Sequence, residues 1–314
     1  MPEEKPTSPR TLALKPGSLW PKVKARTNSA LQGGALHSIA TESEFVEQNG
    51  IRFLVRRSSN IARKDEAKKQ QDRNTTSSGK EVNPFLPYEK DLFVADISDT
   101  HLCLLNKFNV VEDHLLIVTR EFEEQESLLT LSDFEAMWAV LAEIDGLAFY
   151  NGGKLAGASQ RHKHLQVVPL PIAPSGPPIP ILPALATASF QGMIGTIPAF
   201  QFSHTFAKLK TSEKANPLAT ARSTLECYHT LLDTVGLSSS HTQQVGAYNL
   251  LVTREWMLII ARSQESFDSI SINSLGFAGT FFVRNDQQMQ LLKDYGPLTI
   301  LQNVAQPVRK NSNE

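Results

Sequence analysis

The spacing of apolar residues changes along the chain, and each change predicts an element. Apolar runs at 45–46 and 51–55 flank Gln48-Asn49-Gly50, and Asn-Gly between two such runs is a strong hairpin signal. Before them, Leu19, Trp20 and Val23 suggest one short surface helix. Three β-rich runs follow at 92–97, 102–108 and 114–119. A helix is predicted from Ser132, because Ser132-Asp133-Phe134-Glu135 has the spacing of a capping box. Phe134, Trp138, Leu141 and Ile144 recur at helical spacing and form its buried face. Residues 148–150 and 162–168 read as strands. The connector at 169–183 is too rich in proline to run inside a sheet, so it marks a domain boundary. Beyond it, Asn216-Pro217 supplies an N-cap with proline at the first helical position. Leu218, Ala221, Leu225, Tyr228 and Leu232 share one face, and Gly236 ends the helix. Strands at 247–253 and 257–261 and a last helical region from Asp286, interrupted at Pro297, complete the pattern. Residues 115–121 (LLIVTRE) match 250–255 (LLVTRE), which fits two related halves. Neither half alternates β-α-β, which argues against a doubly wound parallel sheet.

At 314 residues the chain has room for two domains, expected at 1–175 and 176–314. Lysine and arginine number 31 against 32 acidic residues, a net charge of -1 that removes the usual argument for a nucleic-acid binder. Residues 58–82 are polar, and 56–73 carry seven basic residues against three acidic ones, so a mobile loop is predicted there. Prolines and charges interrupt every apolar stretch before it reaches the length of a membrane span, and the N-terminus lacks a secretory pattern. A cytoplasmic monomer is expected. Cys103 and Cys227 belong to no CxxC pair and sit among apolar neighbours, as small core residues do.

The chemistry concentrates in residues 151–166, Asn-Gly-Gly-Lys-Leu-Ala-Gly-Ala-Ser-Gln-Arg-His-Lys-His-Leu-Gln. In a strand His162, His164 and Gln166 share one face, while Leu165 and Val167 take the other. Three polar groups in a row need partners or a purpose. One explanation is a solvent-facing edge with two ordinary histidines. A second is a metal site, although the neighbourhood adds no Cys, Asp or Glu to the two histidines. The third is nucleophilic catalysis beside a phosphate cradle. Gly152, Gly153 and Gly157 permit positive φ, so backbone N–H groups can converge on an anion, and Lys154, Ser159 and Gln160 add donors. A neutral histidine attacks phosphorus when its other nitrogen donates to a fixed acceptor.

The strand His162-x-His164-x-Gln166 after Gly157-Ala158-Ser159-Gln160 resembles the transferase branch of the histidine-triad superfamily. The chain as a whole resembles the ATP adenylyltransferases, also called diadenosine tetraphosphate phosphorylases. The resemblance runs through 83–85, 104–108, 116–119, 150–151, 157–166, 248–253, Trp256-Met257 and 273–279. It implies an α+β fold, a histidine-triad-like antiparallel sheet with flanking helices and a C-terminal α+β half packed against it. It also implies reversible phosphorolysis of diadenosine tetraphosphate to ATP and ADP through a covalent AMP-histidine. His164 matches the nucleophile, with His162 orienting the site and Gln166 beside them. Asn151, Gly157, Ala158, Ser159 and Gln160 match the phosphate contacts, and Asn106 and Lys107 the nucleotide contacts. Ser274, Leu275, Gly276, Thr280 and Arg284 match the C-terminal contribution, although methionine and lysine are usual at the last two. Lys64 matches an upstream phosphate-binding lysine. No covalently bound cofactor is implied; a divalent cation such as Mg would accompany the polyphosphate. The implied partners are small nucleotides and phosphate, with no nucleic acid or membrane. A hexose-1-phosphate uridylyltransferase-like enzyme and a non-catalytic dinucleotide sensor are the competing readings.

Overall fold

The computed structural model describes residues 12–58, 83–210, 216–237 and 246–308. The loop expected to be mobile therefore lies outside the described residues except for Ser58, and Lys64 lies outside with it. Helix α1 (Leu19–Gln32) opens the fold. It is a surface helix, longer than the short one expected: Leu19 and Val23 are fully buried in the main core on the face that closes over the start of the large sheet, and the opposite face is exposed. The first hairpin joins β1 (Glu42–Gln48) and β2 (Ile51–Arg57), with Asn49 and Gly50 at φ 50° and 73°. Positive φ at both turn residues matches the twist of a two-residue hairpin.

An antiparallel meander follows, β3 (Phe93–Asp96), β4 (His101–Leu105) and β5 (Leu115–Thr119). Helix α2 (Leu131–Glu143) leads to β6 (Gly146–Gly152) and β7 (His164–Pro169). Past the proline-rich connector come α3 (Leu182–Leu185), β8 (Ser189–Gln191), β9 (Ile194–Thr196) and β10 (His204–Lys208). Then α4 (Pro217–Thr234) precedes β11 (Tyr248–Val252) and β12 (Trp256–Ala261). These strands form one ten-stranded antiparallel sheet in the order β3-β4-β5-β7-β6-β11-β12-β10-β9-β8. The expected boundary at 175–176 is thus no break in the sheet. β6 pairs directly with β11, with Asn151 opposite Asn249.

The C-terminal segment forms a small hairpin of β13 (Ser266–Phe267) and β14 (Ile270–Ser271), then α5 (Ser274–Phe277) and β15 (Thr280–Val283). Helices α6 (Asp286–Tyr295) and α7 (Pro297–Val304) end the described fold. β15 joins the first hairpin in a separate sheet, β1-β2-β15, running parallel to β2.

Two cores sandwich the large sheet. On one face α1, α2 and α4 bury Ile117, Ala148, Tyr150, Leu165, Val167 and Leu250, and Trp138 Nε1 donates to Thr224 Oγ1 (2.9 Å) between α2 and α4. Cys103 and Cys227 are in this core, where burial pushes their thiols up to about 12 and about 11. On the other face the small sheet and C-terminal helices bury Phe53, Phe149, Val168, Leu251 and Phe281. A smaller apolar group, Phe85, Leu102, Leu104, Leu116 and Val118, is a separate cluster beside the histidines. Among the described residues no helix is long and apolar enough to cross a membrane.

Helix α2 begins earlier than the Ser132 pattern predicts. Thr130 is the N-cap, and its N–H (2.6 Å) and Oγ1 (2.8 Å) both donate to Asp133 Oδ2. Asp133 rather than Glu135 closes the box, because its carboxylate also serves a buried lysine.

Candidate active site

Leu165 and Val167 anchor β7 in the helical core, so His164 and Gln166 face the opposite side. The ring of Phe85 lies 5.4 Å from that of His164 and 5.5 Å from that of His162, on this same side. His162 itself lies just outside β7. It forms an isolated antiparallel bridge with Glu124.

Ring tautomers follow from the partners. His162 Nε2 lies 2.8 Å from the Thr119 carbonyl oxygen and 3.1 Å from that of Glu121. Carbonyls only accept, so Nε2 carries the proton and Nδ1 accepts from Asn83 Nδ2 at 2.9 Å. Both nitrogens are engaged, which leaves His162 no lone pair for a metal. His164 Nδ1 donates to the His162 carbonyl at 2.8 Å. Its Nε2 therefore carries an unshared lone pair and, among the described residues, has no partner. Burial, outweighing that backbone bond, lowers the His164 imidazole to about 4, and burial also lowers His162. A neutral imidazole with its tautomer fixed is a nucleophile ready without prior deprotonation. Gln166 is half-buried two residues along the same face, and its carboxamide has no partner among the described residues.

The glycine loop donates less than the sequence suggests. Gly152 ends β6, and only Gly153 and Gly157 take positive φ, 95° and 85°. At Gly157 a Cβ would come within 2.8 Å of the Ile272 carbonyl oxygen, so no larger residue fits. The amides of Gly153, Ala156, Gly157 and Ala158 are all bonded within the turn, to Asn151, Gly153 and Lys154 carbonyls. They make no converging anion cradle. Ser159 and Gln160 keep their groups without partners among the described residues, and Lys154 is exposed.

Asn151 is 2% exposed and its Oδ1 accepts three hydrogen bonds, from Ser274 N–H (3.0 Å), Ser274 Oγ (2.7 Å) and Asn249 Nδ2 (2.9 Å). Only its Nδ2 remains for a ligand. Ser274 is thus joined to Asn151 with its hydroxyl turned inward. Leu275 packs in the second core and its N–H donates to Asn273 Oδ1 (2.9 Å), while Gly276 N–H donates to the Asn273 carbonyl (3.0 Å). Those two residues offer no free donor. Asn106 closes the β4–β5 turn, its N–H to the His114 carbonyl (2.8 Å) and Nδ2 to His114 Nδ1 (3.2 Å). Lys107 is paired with Glu89 at 2.7 Å. Thr280 is buried on β15 opposite Leu54, and Arg284 follows it, donating its N–H to Gln288 Oε1 (2.8 Å). Thr280 stands in the small sheet and Arg284 directly after its strand, and neither belongs to the large sheet.

Several residues that organise the site have no motif to announce them. Lys163, between the histidines, is fully buried; its ammonium donates to Asp133 (2.8 Å), Glu123 (3.1 Å) and the Leu128 carbonyl (3.0 Å). Asp133 also meets His101 Nε2 at 3.0 Å. Burial raises its carboxyl, but the His101 bond and the Lys163 charge outweigh this and hold it well below the usual range. Arg262, 1% exposed, donates to Asn249 Oδ1 and to the Ile272, Gln264 and Val304 carbonyls, and burial lowers it to about 9. Asn249 lies inside the 248–253 resemblance.

Comparison with known proteins gives this geometry a family. Residues 9–187 match the Ap4A phosphorylase N-terminal domain, and 198–307 match the ATP adenylyltransferase C-terminal domain. Diadenosine 5',5'''-P1,P4-tetraphosphate phosphorylase 2 of Saccharomyces cerevisiae is 28% identical over 71% of this chain and 75% of its own. Protein APA1 of the same yeast is 25% identical over 87% of this chain and 88% of its own. The structure of yeast Ap4A phosphorylase Apa2 in complex with Ap4A superposes with a TM-score of 0.73 at 23% identity, over 94% of this chain and 99% of that one. At that identity the structural likeness is one of fold, and it matches the α+β architecture described above. With one model covering more than half of the sequence and the other most of the rest, the chain belongs to the Ap4A phosphorylase family.

Proposed function

We propose that the protein is an ATP adenylyltransferase that phosphorolyses diadenosine tetraphosphate to ATP and ADP, reversibly, through AMP held covalently on His164. The observation that carries this is the His164 ring, with Nδ1 bound to the His162 carbonyl and Nε2 bare. In the first step the Nε2 lone pair attacks the α-phosphorus. The bond from that phosphorus to the bridging oxygen breaks, and ATP departs with the oxygen. The ring becomes cationic, and the Nδ1–H to carbonyl bond strengthens as charge develops. Nδ1 keeps its proton throughout, so this step needs no base. In the second step a phosphate oxygen attacks the same phosphorus, the P–N bond breaks, and ADP leaves neutral His164 behind.

The apolar group of Phe85, Leu104 and Leu116 beside His164 suits a nucleoside base. Asn151 Nδ2, Ser159, Gln160 and Lys154 are the donors on this reading for the phosphates, with Gln166 beside the reacting phosphorus. Asn106 and Lys107, with Thr280 from the small sheet and Arg284 just after its strand, complete the nucleotide contacts on this reading, and Lys64 extends them. A divalent cation such as Mg enters with the polyphosphate. The reading includes a cytoplasmic monomer, which sedimentation and cell fractionation check.

The test is labelling with α-labelled diadenosine tetraphosphate. Wild type should acquire acid-labile, base-stable label and release ATP, then ADP on adding phosphate. His164→Ala should acquire none while still binding nucleotide. Label persisting in that variant would remove His164 as the nucleophile.

A further inference from the structure

The pairing of β6 with β7 stops short of the nucleophile. The register runs from Gly146 opposite Pro169 to Phe149 opposite Gln166, and its continuation would set Asn151 opposite His164. That last pair does not form. The carboxamide of Gln125 occupies the gap instead. Its Oε1 accepts from the His164 N–H (2.8 Å), and its Nε2 donates to the carbonyls of Asn151 (3.0 Å) and His164 (3.2 Å). A primary amide carries the same donor and acceptor as a peptide unit, so Gln125 completes the ladder while holding the two strands apart.

Gln125 is itself tightly held. It is 2% exposed; its N–H donates to the Arg161 carbonyl (2.6 Å) and its carbonyl accepts from Tyr150 Oη. The segment on either side of it is fastened to the same stretch, by Lys163 N–H on the Glu123 carbonyl (2.8 Å) and the Lys163 ammonium on the Glu123 carboxylate and the Leu128 carbonyl. The buried carboxamide is fully bonded, and because it is pinned on both sides its bonds fix the place of one peptide group, that of His164.

We infer that Gln125 is a positioning residue for the nucleophile, fixing the His164 backbone at the gap between β6 and β7 so that Nε2 meets the α-phosphorus. This rests on the reading of His164 as the AMP-accepting nucleophile. Gln125 reaches no reacting atom; it acts through the His164 peptide group.

The experiment measures single-turnover formation of AMP-histidine from saturating diadenosine tetraphosphate, without phosphate, in the full-length protein. Gln125→Met keeps the side-chain length and removes both bonding groups. Its rate should fall by about tenfold to a hundredfold, the scale of a misplaced reacting group, with nucleotide affinity changed by less than about threefold. Gln125→Glu separates aiming from mere packing. Its protonated acid restores a donor and an acceptor, whereas its anion repels the Asn151 carbonyl. Buried carboxyls titrate above their usual range, so this variant should regain rate as pH falls from about 8 to about 6 while wild type stays level. A folded Gln125→Met variant with the wild-type rate overturns the inference, as does a Gln125→Glu profile parallel to wild type. If Gln125→Met does not fold, the Gln125→Glu profile decides alone. Absence of label on wild type would refute the adenylyltransferase reading and this inference with it, which distinguishes the two failures.

Discussion

Burial lowers the His164 imidazole from 6.5 in the unfolded chain to about 4 in the fold. Between those values the unfolded chain binds a proton that the native state does not, so stability rises with pH across the window and is lost as pH falls through it. The full effect is about 3 kcal/mol, and His162, also lowered, adds in the same direction. His164→Asn should therefore flatten the decline in unfolding free energy from pH 6.5 towards 4, read by urea titration at a series of pH values; an unchanged slope would contradict the burial argument. The second prediction at this scale concerns Gln166. Histidine-triad hydrolases carry a histidine there, which can take a proton from attacking water; glutamine cannot do so near neutral pH. Phosphate is already an anionic nucleophile. Gln166→His is expected to raise the AMP to ADP ratio formed from diadenosine tetraphosphate at fixed phosphate. The wild-type ratio in an active variant would assign acceptor choice to water exclusion instead.

At the scale of elements, the start of α2 and the nucleophile strand are one unit. Asp133 caps the helix through Thr130 and neutralises Lys163, whose ammonium is 0% exposed and lies beneath the histidines. Removing one member leaves a buried charge without its partner. Lys163→Met should cost about 3–5 kcal/mol, and adding Asp133→Asn should recover a substantial part, because a neutral amide keeps the cap without the stranded charge. Chemical denaturation of the two single variants and the double variant gives the coupling directly. Strict additivity would mean that the pair does not act as a unit. The sequence pattern points to Ser132 as the cap because a capping box is scored on local spacing alone. Thr130 prevails because Asp133 is drawn inward by a lysine 30 residues away.

At the scale of the whole molecule, the site belongs to both halves. β6 and β11 are neighbours in one sheet, and Asn151 is held by Asn249 and Ser274 from the C-terminal half, with Arg262 behind them. A fragment ending at residue 187 would expose β6 as an edge strand and leave Asn151 Oδ1 without its three donors. Such a fragment should aggregate or fail to take label from α-labelled diadenosine tetraphosphate. Co-expression with 188–314 should restore labelling. Wild-type labelling by the first fragment alone would show that the halves function separately.

The sequence by itself determined whatever depends on neighbouring residues. Asn49-Gly50 closes a hairpin because few other pairs adopt positive φ at both positions. Asn216 caps α4 ahead of Pro217, its Oδ1 accepting from Leu218 N–H at 3.0 Å, because one side chain can reach the second residue beyond it. Strand alternation put His164 and Gln166 opposite Leu165 and Val167, which made the face of the nucleophile legible. Tertiary structure alone decided what depends on groups distant in sequence. Lys163 is buried because Asp133 and Glu123 meet it there. The glycine-loop amides bond one another, and Gln125 enters the ladder from a run of acidic residues with no periodicity to single it out. Burial of a charge or an amide is settled by partners that folding brings within about 3 Å, and no local spacing encodes which partners those will be.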